Sequence, residues 1–250
     1  MTSNLLTAQL YSVRHALAED RAATLTRLAE IGFKQIETFG FNAESVADIR
    51  EFAEYGLAVP SAHSNFLGKG LDVSATFAAA AEAGVGTVIE PFLPAEHFAD
   101  ADAIKKVADQ LNAAADLADQ HGVVTGYHNH AWEAEGLVEG VTPIEYLASL
   151  LDPRVTLEID TYWAQVGGQN PIDLLGRLGE RVSLLHIKDG DASRDVKNQL
   201  PAGSGVLDVL GIIAAAPHAT PVAEFDDYAG DIFEGLQTAF NFLTKNGVQA

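Results

Sequence analysis

The chain contains no cysteine in its 250 residues. That absence excludes disulfides, thiolate chemistry and sulfur-ligated zinc, so any metal must be held by oxygen and nitrogen donors. Cationic side chains are also scarce: 15 Lys+Arg stand against 35 Asp+Glu, a formal net charge of −20. A field of that sign repels phosphate backbones and anionic lipid, which argues against nucleic-acid and membrane partners. No apolar run approaches the roughly 18 residues of a membrane span. Met1 to Leu10 lack the basic start and apolar stretch of a secretory leader, so the expected location is cytoplasmic. Linkers and low-complexity segments are missing too, which leads to the expectation of one domain over residues 1–250.

What the chain does have is alternation. Strand-type runs fall at Leu6–Val13, Gln35–Phe39, Ala58–His63, Thr87–Phe92, Val123–His130, Val155–Tyr162, Ser183–Lys188 and Pro221–Phe225. Amphipathic helical stretches lie between them, with Ala22–Ile31, Val46–Tyr55, Thr76–Ala83 and Ala103–His121 each stopping at a glycine. Glycine at that position enters the left-handed conformation without a Cβ penalty. Later helices are expected to begin at Thr142-Pro143, Asn170-Pro171 and Asp231, each a polar cap with or without proline. Repeated strand–helix units of roughly 30 residues predict an α/β fold, a (β/α)₈ TIM barrel. An open doubly wound sheet is the competitor, but no G-x-G-x-x-G follows the first strand.

In a barrel of this kind the chemistry sits at the C-terminal strand ends. Those ends carry Glu37, His63, Glu90, His128 and His130 followed by Glu133, then Glu158 and Asp160, His186 and Lys188, and Glu224 with Asp226. Strand side chains alternate, so Glu158 and Asp160 share one side of the sheet, and so do His128 and His130. Acids facing a packed interior call for something positive between them. Asp160, His186 and Glu224 form the strongest trio for a divalent ion that polarises a carbonyl or alkoxide oxygen; a hydrogen-bonded cluster without an ion is the alternative. Trp132 and Trp163, just beyond strand ends, are candidates for stacking on a sugar ring or for ordinary rim packing. Lys188 is expected to meet a substrate oxygen or to pair with Asp189 or Asp160. Gly203-Ser204-Gly205 precedes a helix and reads as an anion-binding turn or a mobile loop.

Taken in order, Tyr127-His128-Asn129-His130-Ala131-Trp132-Glu133, Glu158-Ile159-Asp160-Thr161-Tyr162-Trp163, His186-Ile187-Lys188-Asp189, Gly203-Ser204-Gly205-Val206-Leu207-Asp208 and Glu224-Phe225-Asp226 resemble the sugar phosphate isomerase/epimerase superfamily of xylose-isomerase-like TIM barrels. The resemblance spans nearly the whole chain. It implies one divalent ion, manganese first, with magnesium, cobalt, iron or zinc as alternatives. Ketose epimerases of the superfamily hold that ion through Glu, Asp, His and Glu from strands 5 to 8. The last three map onto Asp160, His186 and Glu224. At the strand-5 glutamate position this chain has His128, so either His128 ligates the ion or Glu158 or Glu133 takes that place.

The function implied is isomerisation or epimerisation of a sugar or keto-sugar, by proton abstraction next to a carbonyl through an enediolate that the ion stabilises. Glu224, with His130 or His128 as partner, would move the proton. Glu37, His63, Glu90, Trp163 and Lys188 are expected to contact the substrate. Loss of a β-substituent from the same intermediate gives a lyase or dehydratase on a keto-sugar or keto-glycoside instead. A noncatalytic sugar-binding barrel, or a subunit activated by a partner chain, is the reading from another class. Lys188 is the only cation at the strand ends, which favours an unphosphorylated sugar. A homo-oligomer is compatible with the resemblance.

Overall fold

The computed structural model describes residues 4–68 and 70–250; the first three positions of the segment read above for a leader lie outside them. Eight parallel strands close into a barrel: β1 (Thr7–Gln9), β2 (Gln35–Thr38), β3 (Ala58–His63), β4 (Thr87–Glu90), β5 (Val124–His128), β6 (Val155–Asp160), β7 (Val182–Ile187) and β8 (Thr220–Ala223). Each strand pairs with its sequence neighbours, and β1 pairs with both β2 and β8 to complete the ring. The parallel crossovers are helical, as parallel pairing requires. The chain is therefore a TIM barrel. A two-residue ribbon, Asp189–Gly190 against Gln199–Leu200, is added beyond β7.

Several strands end earlier than the hydrophobic pattern predicts, because a polar side chain captures the backbone at the end. After β1, the Tyr11 N–H donates to Gln9 Oε1 (3.1 Å), and the chain turns into a short 3₁₀ segment over Leu10–Val13. Strand β6 stops at Asp160, whose Oδ1 accepts the Trp163 N–H (2.9 Å) and caps a helix over Thr161–Val166. Three helices begin one to three residues before their expected starts, at Arg21, Val73 and Ala101, because Asp20, Asp72 and Asp100 cap them. A negative side chain at that end complements the helix dipole. The helix Pro143–Leu150 carries a full capping box through Thr142 and Glu145.

Packing follows the period of each element. Ala101–Asp119 buries Ile104, Val107, Ala108, Leu111, Ala115 and Ala118 on one face. That stripe belongs to the core between helices and sheet, with Val88, Leu157 and Leu185 from the outward faces of the strands. Burial of one such large aliphatic side chain stabilises by about 1.5–3 kcal/mol. Inside the barrel a separate, small apolar cluster of Ile89, Leu184 and Val222 makes the floor. The two-residue period then stacks Leu184, His186 and Lys188 along β7, and Val222, Glu224 and Asp226 along β8, towards the mouth. Gly126 in β5 admits close packing here: an added Cβ would lie 2.7 Å from Ile89 Cδ1 and 2.7 Å from the Thr156 carbonyl oxygen. Among the described residues no helix is long and apolar enough to cross a membrane.

Candidate active site

The strand period delivers a buried polar layer directly above the apolar floor. Glu37, Glu158, Asp160 and His186 have no solvent exposure, and His63, His128, Lys188 and Glu224 have little. Asp160, His186 and Glu224 bring ligand atoms within 4.8 Å of one another, and so does a second set, His63, His128, Glu158 and His186. His186 is common to both. Its Nδ1 lies 2.6 Å from Glu224 Oε2, and its Nε2 lies 2.9 Å from Glu37 Oε1. Glu37 is fixed in turn by Gln9 Nε2 (2.8 Å). Glu37 thus sits behind His186, orienting its ring, and is not among the residues lining the cleft above.

Glu158 joins two imidazoles. Its Oε2 lies 2.5 Å from His63 Nε2 and 3.1 Å from His128 Nδ1. His128 Nε2 stands 3.8 Å from Asp160 Oδ2. Glu133 lies apart from both sets: its Oε1 accepts the Tyr127 hydroxyl (2.6 Å) and its Oε2 the His130 N–H (2.9 Å). Tyr127 and His128 alternate on β5, so a residue bound to Tyr127 is on the wrong side of the strand to meet the cluster. Glu90 is likewise engaged elsewhere. It takes the Leu67 N–H (2.7 Å) and holds the loop after β3.

Lys188 is pinned by carboxylates. Its Nζ lies 2.7 Å from Asp160 Oδ2, 2.8 Å from Glu224 Oε2 and 2.9 Å from Asp226 Oδ2. Asp189, the other partner considered from sequence, accepts backbone N–H groups of Gly203 (3.0 Å), Gly205 (2.8 Å) and Leu207 (3.1 Å). The Gly203-Ser204-Gly205 turn does bind an anion, and the anion is this aspartate. A glycine is required at 205, where a Cβ would meet Asp189 Oδ1 at 2.2 Å.

The site opens into a cleft of about 330 Å³ lined by His63, His128, His130 and Glu224 below and by Tyr11, Phe39 and Phe92 above. The His130 ring stacks on Trp132 (4.8 Å between centroids, 2° between planes). Trp163 is not among the lining residues; its ring faces Lys188, with Nζ 6.0 Å from the centroid. Asn129, quoted in the strand-5 motif without a role, accepts the Asp160 N–H at its Oδ1 (3.0 Å) and locks the end of β6 to β5. Its signal was only its place between two candidate histidines.

The electrostatics divide the layer. Burial opposes ionisation of Glu158, yet despite Glu37 beside it, the His186 and His63 charges bring it down to about 2. Burial disfavours protonated His63, but Glu158 and Glu37 raise it to about 10. His186 is raised by Glu158 and Glu224 against the same burial cost. His130 falls to about 4 through burial and then the Lys188 charge, so its ring is neutral at neutral pH. Burial moves Asp160 up to about 6, with Lys188 opposing. The set is therefore strongly anionic and recruits protons and an ammonium to balance itself.

That chemistry bears on a metal. Glu37 Oε2 and Glu158 Oε1 are buried without a hydrogen-bond partner among the described residues, and Asp160 Oδ2 is met by the Lys188 ammonium at 2.7 Å. Buried carboxylate oxygens of this kind are costly unless a cation meets them. Mixed carboxylate and imidazole donors, with no sulfur, fit a divalent ion at Asp160, His186 and Glu224.

Residues 25–220 match the family model of the xylose isomerase-like TIM barrel. The chain belongs to that family. Among solved members of this fold, a sugar phosphate isomerase/epimerase from Parabacteroides distasonis ATCC 8503 superposes with a TM-score of 0.81 at 24% identity, over 100% of this chain and 96% of that one. The IOLI protein, solved with a zinc atom bound, gives 0.73 at 16% identity over 96% and 97% of the two chains. In sequence, the inosose dehydratase of Geobacillus kaustophilus (strain HTA426) is 36% identical over 86 residues, 34% of this chain and 27% of that protein. The inosose dehydratase of Clostridium beijerinckii (strain ATCC 51743 / NCIMB 8052) is 29% identical over 117 residues, 46% and 38% of the two. These matches span only about a third of the length of the curated relatives.

Proposed function

We propose that this xylose isomerase-like barrel is a divalent-metal-dependent enzyme that removes the proton next to the carbonyl of a keto-sugar or keto-cyclitol and then expels a β-hydroxyl as water. The observation that carries the reading is the convergence of Asp160, His186 and Glu224 beneath an open cleft. Those three residues would hold the ion, with His128 adjacent to Asp160. When bound, the ion supplies Lewis-acid polarisation of the carbonyl. Glu37 keeps the His186 ring turned with Nδ1 towards Glu224.

His130 is the base. Its ring lines the cleft, is neutral, and has a buried Nδ1 without a partner. The proton it takes from carbon is the one that the departing hydroxyl needs, so one imidazole serves both halves of the elimination. The inosose dehydratase names of the relatives in sequence support this outcome over the others. Isomerisation or epimerisation is the second reading. Glu224 and His128 both line the cleft and rise from strands three positions apart, so a proton could leave and return through different groups.

The test is incubation of metal-reconstituted protein with a panel of keto-sugars and keto-cyclitols in D₂O. Water loss should give an absorbing enone or its tautomer, with deuterium entering recovered substrate. No deuterium and no elimination in any pair, with manganese, magnesium, cobalt, iron and zinc each supplied, would overturn the reading.

A further inference from the structure

Of the hydrophobic side chains left exposed, three surround this single opening: Tyr11 at 39%, Phe39 at 38% and Phe92 at 44%. They follow three strands of one arc of the barrel, β1, β2 and β4. Tyr11 and Phe39 follow β1 and β2 and meet edge to face at 5.5 Å, while Phe92 follows β4 and stands edge-on to His130 (5.3 Å) and Trp132 (5.5 Å). Neither group is loose. The Arg14 guanidinium lies 4.1 Å from the Tyr11 ring centroid and its Nη1 donates to the Tyr11 carbonyl (2.8 Å). Rings fixed before binding lose little freedom when they are covered.

The floor and the rim offer different chemistry. Below are His63, His128 and Glu224, which suit the hydroxyls of a sugar; above are aromatic faces and Pro91, with Asn65 as a polar exception. Among the described residues no Lys or Arg lines the cleft to meet a phosphate, while two carboxylates, Glu224 and Asp226, do line it, which favours an uncharged ligand. The volume of about 330 Å³ reaches the lower end of cavities for drug-sized ligands, about 300–1,000 Å³, beside which a single sugar ring is a fragment. A second sugar ring at the rim would give up water around hydroxyls with few partners there. An aromatic ring would lose nothing of that kind, and would bury the exposed faces.

Resting on the reading of this cleft as the substrate site, we infer that its ligand is an uncharged sugar carrying an aromatic substituent, with the sugar on the histidine–carboxylate floor and the aromatic ring between Phe39 and Phe92. This goes beyond a bare keto-sugar or keto-cyclitol and makes Tyr11, Phe39 and Phe92 the residues that select it.

Titration calorimetry on the manganese-loaded full chain tests the inference with glucose, phenyl β-glucoside and cyclohexyl β-glucoside. The phenyl compound should bind at least about tenfold tighter than glucose, the scale of one or two aromatic contacts, and the cyclohexyl compound should lie between them. In Phe39→Ala and Phe92→Ala the phenyl-to-glucose ratio should collapse towards one, while Phe92→Leu, which keeps apolar bulk, should retain part of it. Circular dichroism melting of each variant establishes that it is folded. Equal affinities for glucose and the phenyl compound, or a ratio untouched in both alanine variants, would overturn the inference, as would no binding of any of the three. Turnover of keto-sugars is measured separately. Aromatic preference without turnover removes the proposed reaction and keeps this inference, whereas turnover without preference does the reverse.

Discussion

Replacing Lys188 by methionine should strongly destabilise the metal-free protein. The ammonium is 2% exposed and meets three carboxylates at 2.7, 2.8 and 2.9 Å. Each contact is worth about 6 kcal/mol of attraction at an effective dielectric near 20, from which the cost of burying the charges must be taken. Removing one partner from a buried set costs about 3–5 kcal/mol, because the remaining charges stay buried and unpaired. At this chain length that corresponds to a fall in melting temperature of roughly 6–20 °C. The assay is thermal unfolding of Lys188→Met and the parent in EDTA and again in saturating Mn²⁺. The gap should be large in EDTA and narrow with the ion, which returns positive charge to Asp160 and Glu224. A loss under about 1 kcal/mol in EDTA, the size of an exposed pair, would refute the assignment of Lys188 as the resident counter-charge.

Glu158→Gln should leave close to one equivalent of metal by plasma mass spectrometry, since Glu158 contacts His63 and His128 and is outside the Asp160, His186 and Glu224 set; loss of the ion would make Glu158 a ligand. Glu133 is pushed up to about 8 by burial, with its Tyr127 bond opposing. A carboxyl raised on folding contributes stability that is complete below its unfolded pKa and disappears as pH rises through the folded one. Relative to Glu133→Gln, which mimics the protonated acid, the parent should therefore lose stability progressively between about pH 4.5 and 8 and no further above it. Melting curves of both proteins across that range check this, and a constant difference would reject a neutral Glu133. Gly205→Ala should destabilise the loop that Asp189 holds, by about 1–3 kcal/mol for a buried carboxylate deprived of donors. Denaturant unfolding measures it, and a neutral result would show that the turn can open without cost.

Where the sequence succeeded, periodicity was the reason. Leu184, His186 and Lys188 share a face because strand side chains repeat every two residues, and the same rule places Val222 below Glu224. A barrel gathers its strand ends into one mouth, so the alternation of strand and helix was enough to predict that Asp160, His186 and Glu224 meet. The Glu158–Trp163 segment illustrates the limit. Its β-branched and aromatic residues prolong the apparent strand to Tyr162, whereas a single hydrogen bond from the Trp163 N–H to Asp160 ends it and turns Trp163 away from the cleft lining.

Partner choice among nearby polar groups was beyond the sequence. Glu133 pairs with Tyr127 and His130, Asp189 with the glycine-rich turn, and Lys188 with three acids, although each had equally good candidates by residue type. Glu37 became an orienting group for His186 because β2 places it level with a ring from the far side of the barrel. The amino-acid sequence by itself determined the barrel, its anionic character and the alternation that turns Asp160, His186 and Glu224 to the inner side of their strands, since periodicity and charge are properties of the chain. Only the tertiary structure decided which acid faces which base, because hydrogen bonds select among neighbours over ångström distances that no spacing along the chain records.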